Sequence, residues 1–366
     1  MSFSDTQIKA MAITPKVSSA LSLPGSAYII YQSIVDFRRK KTGSAMQRAL
    51  VGMSCVDFLS SIGWFLSTWA APVSSGAYLA SGNEATCRFQ GFLLQVAIGA
   101  PMYNGALVLY YLLCVKYKWR DDHILKVEPY VHVFIWVWCL GTSAVLLGLN
   151  LMHFIGPVCW VSDPPECYED MPDPSVKCGT AKYYATAFFC TPLWIVILTT
   201  IGALIAIYLE IRATSMKMKR YAMGSSELGR TNSDLKAVAL RAVLYSLAFI
   251  VTWVASTVWS IAQFFDYYPF GVSYAWTLLE PLQGFWNALI FIHNRPATRE
   301  RVSSVLRTLS LSKSLASRSM STKQKSSELK SAEEKSVLRQ NEKNGDNEVV
   351  DNEHPENYFI EEGGGK

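Results

Sequence analysis

Residues 87–119 read CRFQGFLLQVAIGAPMYNGALVLYYLLCVKYKW and carry no charged side chain between positions 89 and 115. A helix needs roughly 20 apolar residues to cross a hydrocarbon layer about 30 Å thick, so this stretch is long enough to span one. It opens on a cysteine and closes on Lys116, Lys118 and Arg120. Six further apolar runs, at residues 17–37, 48–71, 131–152, 181–209, 235–265 and 272–292, are of similar kind. A buried helix of a soluble domain does not recur in this way. The expected fold is all-α, a seven-transmembrane helix bundle.

The chain has 366 residues, 50% of them hydrophobic and 17% charged, yet its last fifth is strongly polar. The apolar residues are therefore concentrated upstream. The net charge of +5 does not point to nucleic acid, because the basic residues fall between apolar runs, where they report topology. Arg38, Arg39, Lys40 and Lys41 separate runs one and two; Lys116, Lys118, Arg120 and Lys126 separate three and four; Arg212, Lys217, Lys219, Arg220, Arg230 and Lys236 separate five and six. The alternate loops are nearly free of them, and the loop after run four is acidic. The expectation is a multi-pass protein of the cell membrane with its N-terminus outside and its C-terminus cytosolic.

Of eight cysteines, Cys55, Cys114, Cys139 and Cys190 lie in apolar runs, and Cys87, Cys159, Cys167 and Cys178 lie beside or within loops. All four loop cysteines fall on the outer side of this topology, an oxidising face. Cys87 with Cys159 is the favoured bridge, leaving Cys167 with Cys178 to close a short acidic loop; two other connectivities remain open.

Four regions are expected. Residues 1–16 form an extracellular N-terminus without a signal-peptide core, and 17–295 form the bundle. In 296–309, Val302, Val305, Leu306 and Leu309 recur at helical spacing between arginines, which reads as an amphipathic helix on the membrane lipids. Residues 310–366 are rich in Ser, Lys, Glu and Asn and read as a disordered cytosolic tail. Arginine stands three positions before Ser233, Ser304, Ser310 and Ser321, a spacing suited to phosphorylation by a basophilic kinase, and an arrestin-like protein could read the resulting charge.

Several motifs, in order on these runs, resemble G-protein-coupled receptors: Cys87-x-x-Gln90-Gly91-Phe92, Cys159-Trp160, Ser54-x-x-Asp57, Arg241-x-x-x-Tyr245 with Trp253, and the segment from Leu282 to Phe291 that contains Gln283-Gly284-Phe285-Trp286-Asn287. The likeness is to the cyclic-AMP-receptor-like group of slime moulds and other protists, with secretin- and adhesion-like features in Gln283-Gly284-Phe285. It departs from the rhodopsin-like subclass. Val115-Lys116-Tyr117 stands where that subclass has Asp-Arg-Tyr, and Asn287-Ala288-x-x-Phe291 where it has Asn-Pro-x-x-Tyr. The resemblance implies an extracellular ligand, a heterotrimeric G protein as cytosolic partner, and no cofactor or metal.

Asp57 is a carboxylate inside a membrane run, where such groups usually face the bundle interior. It is either a local structural hydrogen bond to Asn287 or a serine or, by the resemblance, an activation network with Asn287 and Phe291. Glu280-Pro281 lies in the outer half of run seven, where a proline frees a carbonyl and a carboxylate can face a cavity. Glu280 is the leading ligand contact; the alternative is an outer-rim partner for Arg88 or Lys182. Gln95, Tyr103, Trp253, Trp259, Gln263 and Trp276 fall near the same level. Lys116, Tyr117, Lys236 and Arg241 are the candidates for G-protein coupling. An anionic ligand such as cyclic AMP would want basic residues on the outer half, and only Arg88, Lys177 and Lys182 stand there against the acidic loop.

Other classes fit less well. No His-Glu-x-x-His, protease-like aspartate pair or phosphate-binding glycine loop suggests an enzyme. A retinal protein needs a lysine in the seventh run, and residues 272–292 contain none. The alternative is a membrane transporter or channel with a seven-helix bundle, for which paired broken helices and an internal repeat are expected; no repeat is visible.

Overall fold

The computed structural model describes residues 3–40, 44–168, 178–221, 226–265, 267 and 269–293. The chain divides into two units after Pro296, and the second, residues 297–366, lies outside the described residues. So do the expected helix at 296–309, the tail from 310 onward and the serines named there.

The described residues form seven helical passes, four of them single helices and three interrupted. The first is α1 (Asp5–Lys40), which begins well before its apolar run. The cause is a capping box, Ser4-x-x-Gln7: the Ser4 N–H donates to Gln7 Oε1 at 2.9 Å and the Gln7 N–H to Ser4 Oγ at 3.3 Å. Asp5 then pairs with Lys9 one turn on, at 2.6 Å. The second pass is α2 (Ala45–Leu66), capped by Ser44 and tightened into a 3₁₀ turn over Ser67–Ala70. The third comprises α3 (Glu84–Val96) and α4 (Gly99–Lys116), and the fourth is α5 (Asp121–Gly148). The fifth comprises α6 (Ala181–Ala185), a π-turn over Thr186–Cys190 and α7 (Thr191–Tyr221). The sixth is α8 (Ser226–Phe264). The seventh comprises α9 (Phe270–Leu279), a 3₁₀ turn over Glu280–Leu282 and α10 (Gln283–His293).

Passes two to six are long and apolar enough to cross a membrane by length and composition alone. Pass one carries Ser19, Ser22, Ser26 and Ser33 buried along one face, and pass seven is broken at Glu280-Pro281. The third pass is 78% buried over its most apolar window, against 28% for the fourth and 22% for the fifth. Pass three is thus the axis of the bundle, and much of passes four and five faces outward.

One departure from all-α is small. Strands β1 (Met152–Phe154) and β2 (Cys159–Val161) form an antiparallel hairpin after α5, with His153 opposite Trp160. Cys159 bridges Cys87 of α3, with Cα atoms 5.3 Å apart, and Cys167 bridges Cys178. The favoured pairings are the ones observed. Gln90, fully buried one turn after Cys87, donates from Nε2 to the carbonyls of Gly63 and Ser67, each at 2.9 Å. Its Oε1 accepts from the Cys159 N–H, also at 2.9 Å. One amide therefore joins the end of α2 to α3 and the hairpin.

The interruptions of passes five and seven follow from proline, which has no N–H to give and crowds the carbonyl four residues back. In pass five Pro192 leaves the Phe188 carbonyl free, and Trp138 Nε1 of α5 donates to it at 3.2 Å. In pass seven the hydroxyl of Ser22 enters the helical ladder: it accepts from the Phe285 N–H at 3.1 Å and donates to the Pro281 carbonyl. Close approach of α1 and α10 allows this. A Cβ on Gly25 would lie 3.0 Å from both Ala288 Cβ and the Gly284 carbonyl, the small-residue contact by which membrane helices pack.

Replacing Gln90 by Leu should leave the Cys159 N–H buried without its partner and take one donor from each of the Gly63 and Ser67 carbonyls. At roughly 1–3 kcal/mol for an unsatisfied buried group, the thermal unfolding midpoint of the purified protein should fall by several degrees. A midpoint equal to the parent's would remove Gln90 from its central position.

Candidate functional site

Near the disulfide-bearing end, α2, α3, β2, the π-turn, α8 and pass seven converge on a box of aromatic rings. Trp259 of α8 and Trp276 of α9 stack with centroids 3.9 Å apart. Trp64 meets Trp276 edge-on at 5.2 Å, and Trp160 of the hairpin lies 5.0 Å from Phe189 and 6.0 Å from Trp259. These rings enclose a void of about 10 Å³, room for about one water. Glu280 borders it at 8% exposure. Its Oε2 accepts from Trp276 Nε1 at 2.6 Å and from Ser256 Oγ at 2.7 Å.

The 3₁₀ turn that Pro281 imposes brings Glu280 to this position and puts Trp276, Glu280, Gln283 and Asn287 on one face of pass seven. Gln283 Nε2 donates to Asn287 Oδ1 at 3.4 Å, and Asn287 Nδ2 donates to Asp57 Oδ2 at 2.8 Å. Asp57 and Asn287 are buried, at 2% and 0% exposure. Buried polar side chains are thus spaced along pass seven from the aromatic box to α2. A lone carboxylate there would be costly; each one has donors.

The residues singled out from sequence do not share one pocket. Trp259, Trp276 and Glu280 meet as described. Gln95 sits beside them, accepting from Trp160 Nε1 at 3.2 Å and donating to Thr142 Oγ1 at 3.4 Å. Trp253 lies one layer deeper, 5.8 Å from the Phe189 ring. Gln263 is half-buried and lines neither this void nor the larger cleft beside it. Tyr103 belongs to a different cluster. Phe291 packs edge-on against Tyr28 of α1 at 6.4 Å. Glu280 bonds Ser256 and Trp276 in place of the outer-rim partners Arg88 and Lys182, because the turn at Pro281 points it inward.

Lys116 and Tyr117 lie at the opposite end of pass three; both are exposed, with Lys116 Nζ 5.4 Å from the Tyr117 ring. Arg241 is exposed on α8. Lys236 belongs to the same helix, but its side chain lies outside the described residues.

Sequence reading missed a charge cluster at that opposite end. Glu128 fell in a loop by apolarity, whereas α5 already begins at Asp121 and buries Glu128 at 3% exposure. Arg48 of α2 grips it with two nitrogens, Nε at 2.7 Å. His132, one turn on, contacts Glu128 Oε1 at 3.3 Å through Nε2 and Tyr103 OH at 2.8 Å through Nδ1. Tyr103 leans over Gly52, where a Cβ would meet its hydroxyl at 2.7 Å. The available signal was the glutamate four residues before a histidine, both at helical spacing from the apolar face that follows. Among the described residues no cluster of His, Cys, Asp and Glu has the makings of a metal site.

Cutting the Arg48–Glu128 pair on one side strands a buried charge, a loss of about 3–5 kcal/mol. Arg48→Met should fall near the lower figure, since the Arg48 side chain is 31% exposed. Arg48→Met combined with Glu128→Leu should recover part of it, read by thermal unfolding and the yield of folded protein.

Comparison with known proteins gives consistent results. A family model described as the slime mold cyclic AMP receptor matches residues 82–341. Cyclic AMP receptor 1 of Dictyostelium discoideum is 23% identical over 186 residues, which cover 51% of this chain and 40% of that protein. The chain therefore matches well under half the length of that relative. Among solved structures, squid rhodopsin has a TM-score of 0.57 at 14% identity, covering 84% of this chain and 88% of its own. That likeness is one of fold.

Proposed function

The chain belongs to the slime mold cyclic AMP receptor family, and from that premise we propose that it is a G-protein-coupled receptor rather than an enzyme or a transporter. The observation that carries the reading is the polar line along pass seven. Its residues are spaced from a chamber at the disulfide-bearing end to the Asp57–Asn287 contact deep in the bundle. A ligand that shifts Trp276 alters the donors of Glu280, and Glu280 sits on the turn that orients α10. A helix broken by proline and bridged by the Ser22 hydroxyl is the kind of element that has two close-lying arrangements. Ligand binding then biases that equilibrium by the difference in its affinity for the two states.

In this reading residues 1–16 face the outside and the tail the cytosol, as the basic residues between passes indicate. Lys116, Tyr117, Lys236 and Arg241 border the cytosolic opening for a heterotrimeric G protein. The tail takes a kinase and an arrestin-like partner, since each phosphate adds about −1.5 to −2 charges and loosens the basic segment at residues 299–307 from anionic lipid.

The test is nucleotide exchange on purified G proteins by the protein in lipid vesicles, first alone and then with a ligand panel that includes cyclic AMP. Exchange above protein-free vesicles is expected. Glu280→Ala and Asn287→Ala should each change it about fivefold or more, the usual range of coupling between sites. Parent-like exchange in both variants would detach the polar line from signalling.

A second measurement addresses the tail. Truncation after Leu309, or replacement of Ser303, Ser304, Ser310, Ser312, Ser319 and Ser321 by Ala, should slow the decay of signalling in cells under sustained stimulation. Decay at the parent rate in both would exclude control by the tail.

A further inference from the structure

Beside the aromatic box, at the same end of the bundle, lies a cleft of about 560 Å³, within the range of small-molecule sites. Its walls are the first turns of α1, the segment after α2, the turn of the hairpin and the start of α9. Trp259 and Trp276 border both this cleft and the small void that holds Glu280. They are the partition between the two.

The chemistry of the walls is selective. Ile8, Met11, Ile155 and Pro157 supply apolar surface, and Ile8 remains 41% exposed there. Thr68, Ser75 and Ser273 add hydroxyl side chains. Among the described residues that line the cleft there is no Asp, Glu, Lys, Arg or His. Two ammonium groups stand behind the wall, and both are already engaged. Lys9 pairs with Asp5 at 2.6 Å and lies 5.6 Å from the Tyr78 ring. Lys16 donates to the Ala12 carbonyl at 2.9 Å and to Thr68 Oγ1 at 3.2 Å, and faces the Trp69 ring at 4.8 Å. Those contacts account for its three N–H donors.

We propose that this cleft binds an electrically neutral, predominantly apolar small molecule that carries one or two hydrogen-bonding groups and rests against Trp259 and Trp276. An anion entering it would lose hydration, and among the described residues that line the cleft no cation replaces the water. A neutral ring or chain gains apolar contact on all sides, and the hydroxyls select among such molecules. The consequence at the G protein rests on the receptor reading above; the binding itself does not.

A covalent probe tests the site while the natural ligand is unidentified. Ala77, half-buried on the cleft wall, is replaced by Cys, with Ser75→Cys as the second variant should the first fold poorly. Each is treated with benzyl methanethiosulfonate, which is neutral and aromatic, or with anionic sulfonatoethyl methanethiosulfonate. Both reagents form a mixed disulfide with the thiol and release methanesulfinate. The parent, whose Cys55 and Cys114 are half-buried, supplies the background by intact mass. The benzyl adduct should raise the unfolding midpoint by about 3 °C or more and shift tryptophan emission, and the sulfonate adduct should do neither. Millimolar cyclic AMP should leave the benzyl labelling rate within twofold.

An equal or larger stabilisation by the sulfonate, no stabilisation by the benzyl group in either variant, or labelling slowed tenfold by cyclic AMP would overturn the proposal. Nucleotide exchange by the labelled protein separates the two readings. Stabilisation without any exchange keeps the cleft and removes the receptor assignment, whereas exchange without stabilisation removes the cleft.

Discussion

The side-chain amide of Gln90 makes three hydrogen bonds in a place where none can be exchanged for water, to the Gly63 and Ser67 carbonyls and from the Cys159 N–H. The same constraint governs the rest of the bundle. Hydrocarbon offers no partner to a freed backbone group, and at the interruptions of passes five and seven a neighbour supplies one. Trp138 does so for Phe188, and Ser22 does so between Phe285 and Pro281. Each repair comes from another pass, so the irregular points of the helices are also the points where the helices are tied together. The disulfide between Cys87 and Cys159 reinforces the tie at Gln90 and keeps Trp160 over the aromatic box.

Buried carboxylates follow the same logic with larger stakes. Asp57, Glu128 and Glu280 are each at most 8% exposed, and each has donors from a different pass. Their settings differ. Glu128 meets a guanidinium with two nitrogens, a fixed fork that joins α2 to α5. Asp57 and Glu280 meet only neutral donors, an amide for one and an indole and a hydroxyl for the other. Neutral donors are given up more readily than a bidentate ion pair, which makes the pass-seven line the adaptable part of the bundle and the Arg48 cluster the rigid part. The two regions lie toward opposite ends of α2, so a change at the Asp57 end can occur while the Arg48 end stays clamped.

Much of this architecture was readable in residue order. Length and apolarity located all seven passes, since a spanning helix must present apolar side chains over roughly 20 residues whatever its neighbours do. Pass one was found by its run although serines punctuate it, and pass seven although it is broken into two short helices, because a proline break does not change composition. Helix starts were less legible. The capping box at Ser4 and Gln7 was present in the sequence but lay outside the apolar window, and Glu128 reads as loop as long as its partner Arg48, 80 residues earlier, is not known to reach it.

The sequence alone therefore determined the number of passes, the cysteines available to bridge, and the presence of Asp57, Asn287 and Glu280 within the membrane region, all properties set by composition and local spacing. Only the tertiary structure decided which groups meet. Tyr103 turned to His132 and not to the aromatic box, Phe291 met the ring of Tyr28, and Glu280 turned to Trp276 and Ser256 and not to the rim. The physical reason is rotational. A helix presents a new direction every 100° per residue, and a single 3₁₀ or π-turn changes the direction of everything beyond it. The facing of side chains therefore depends on how the interrupted passes dock, which the apolar pattern of a nearly all-apolar helix does not record.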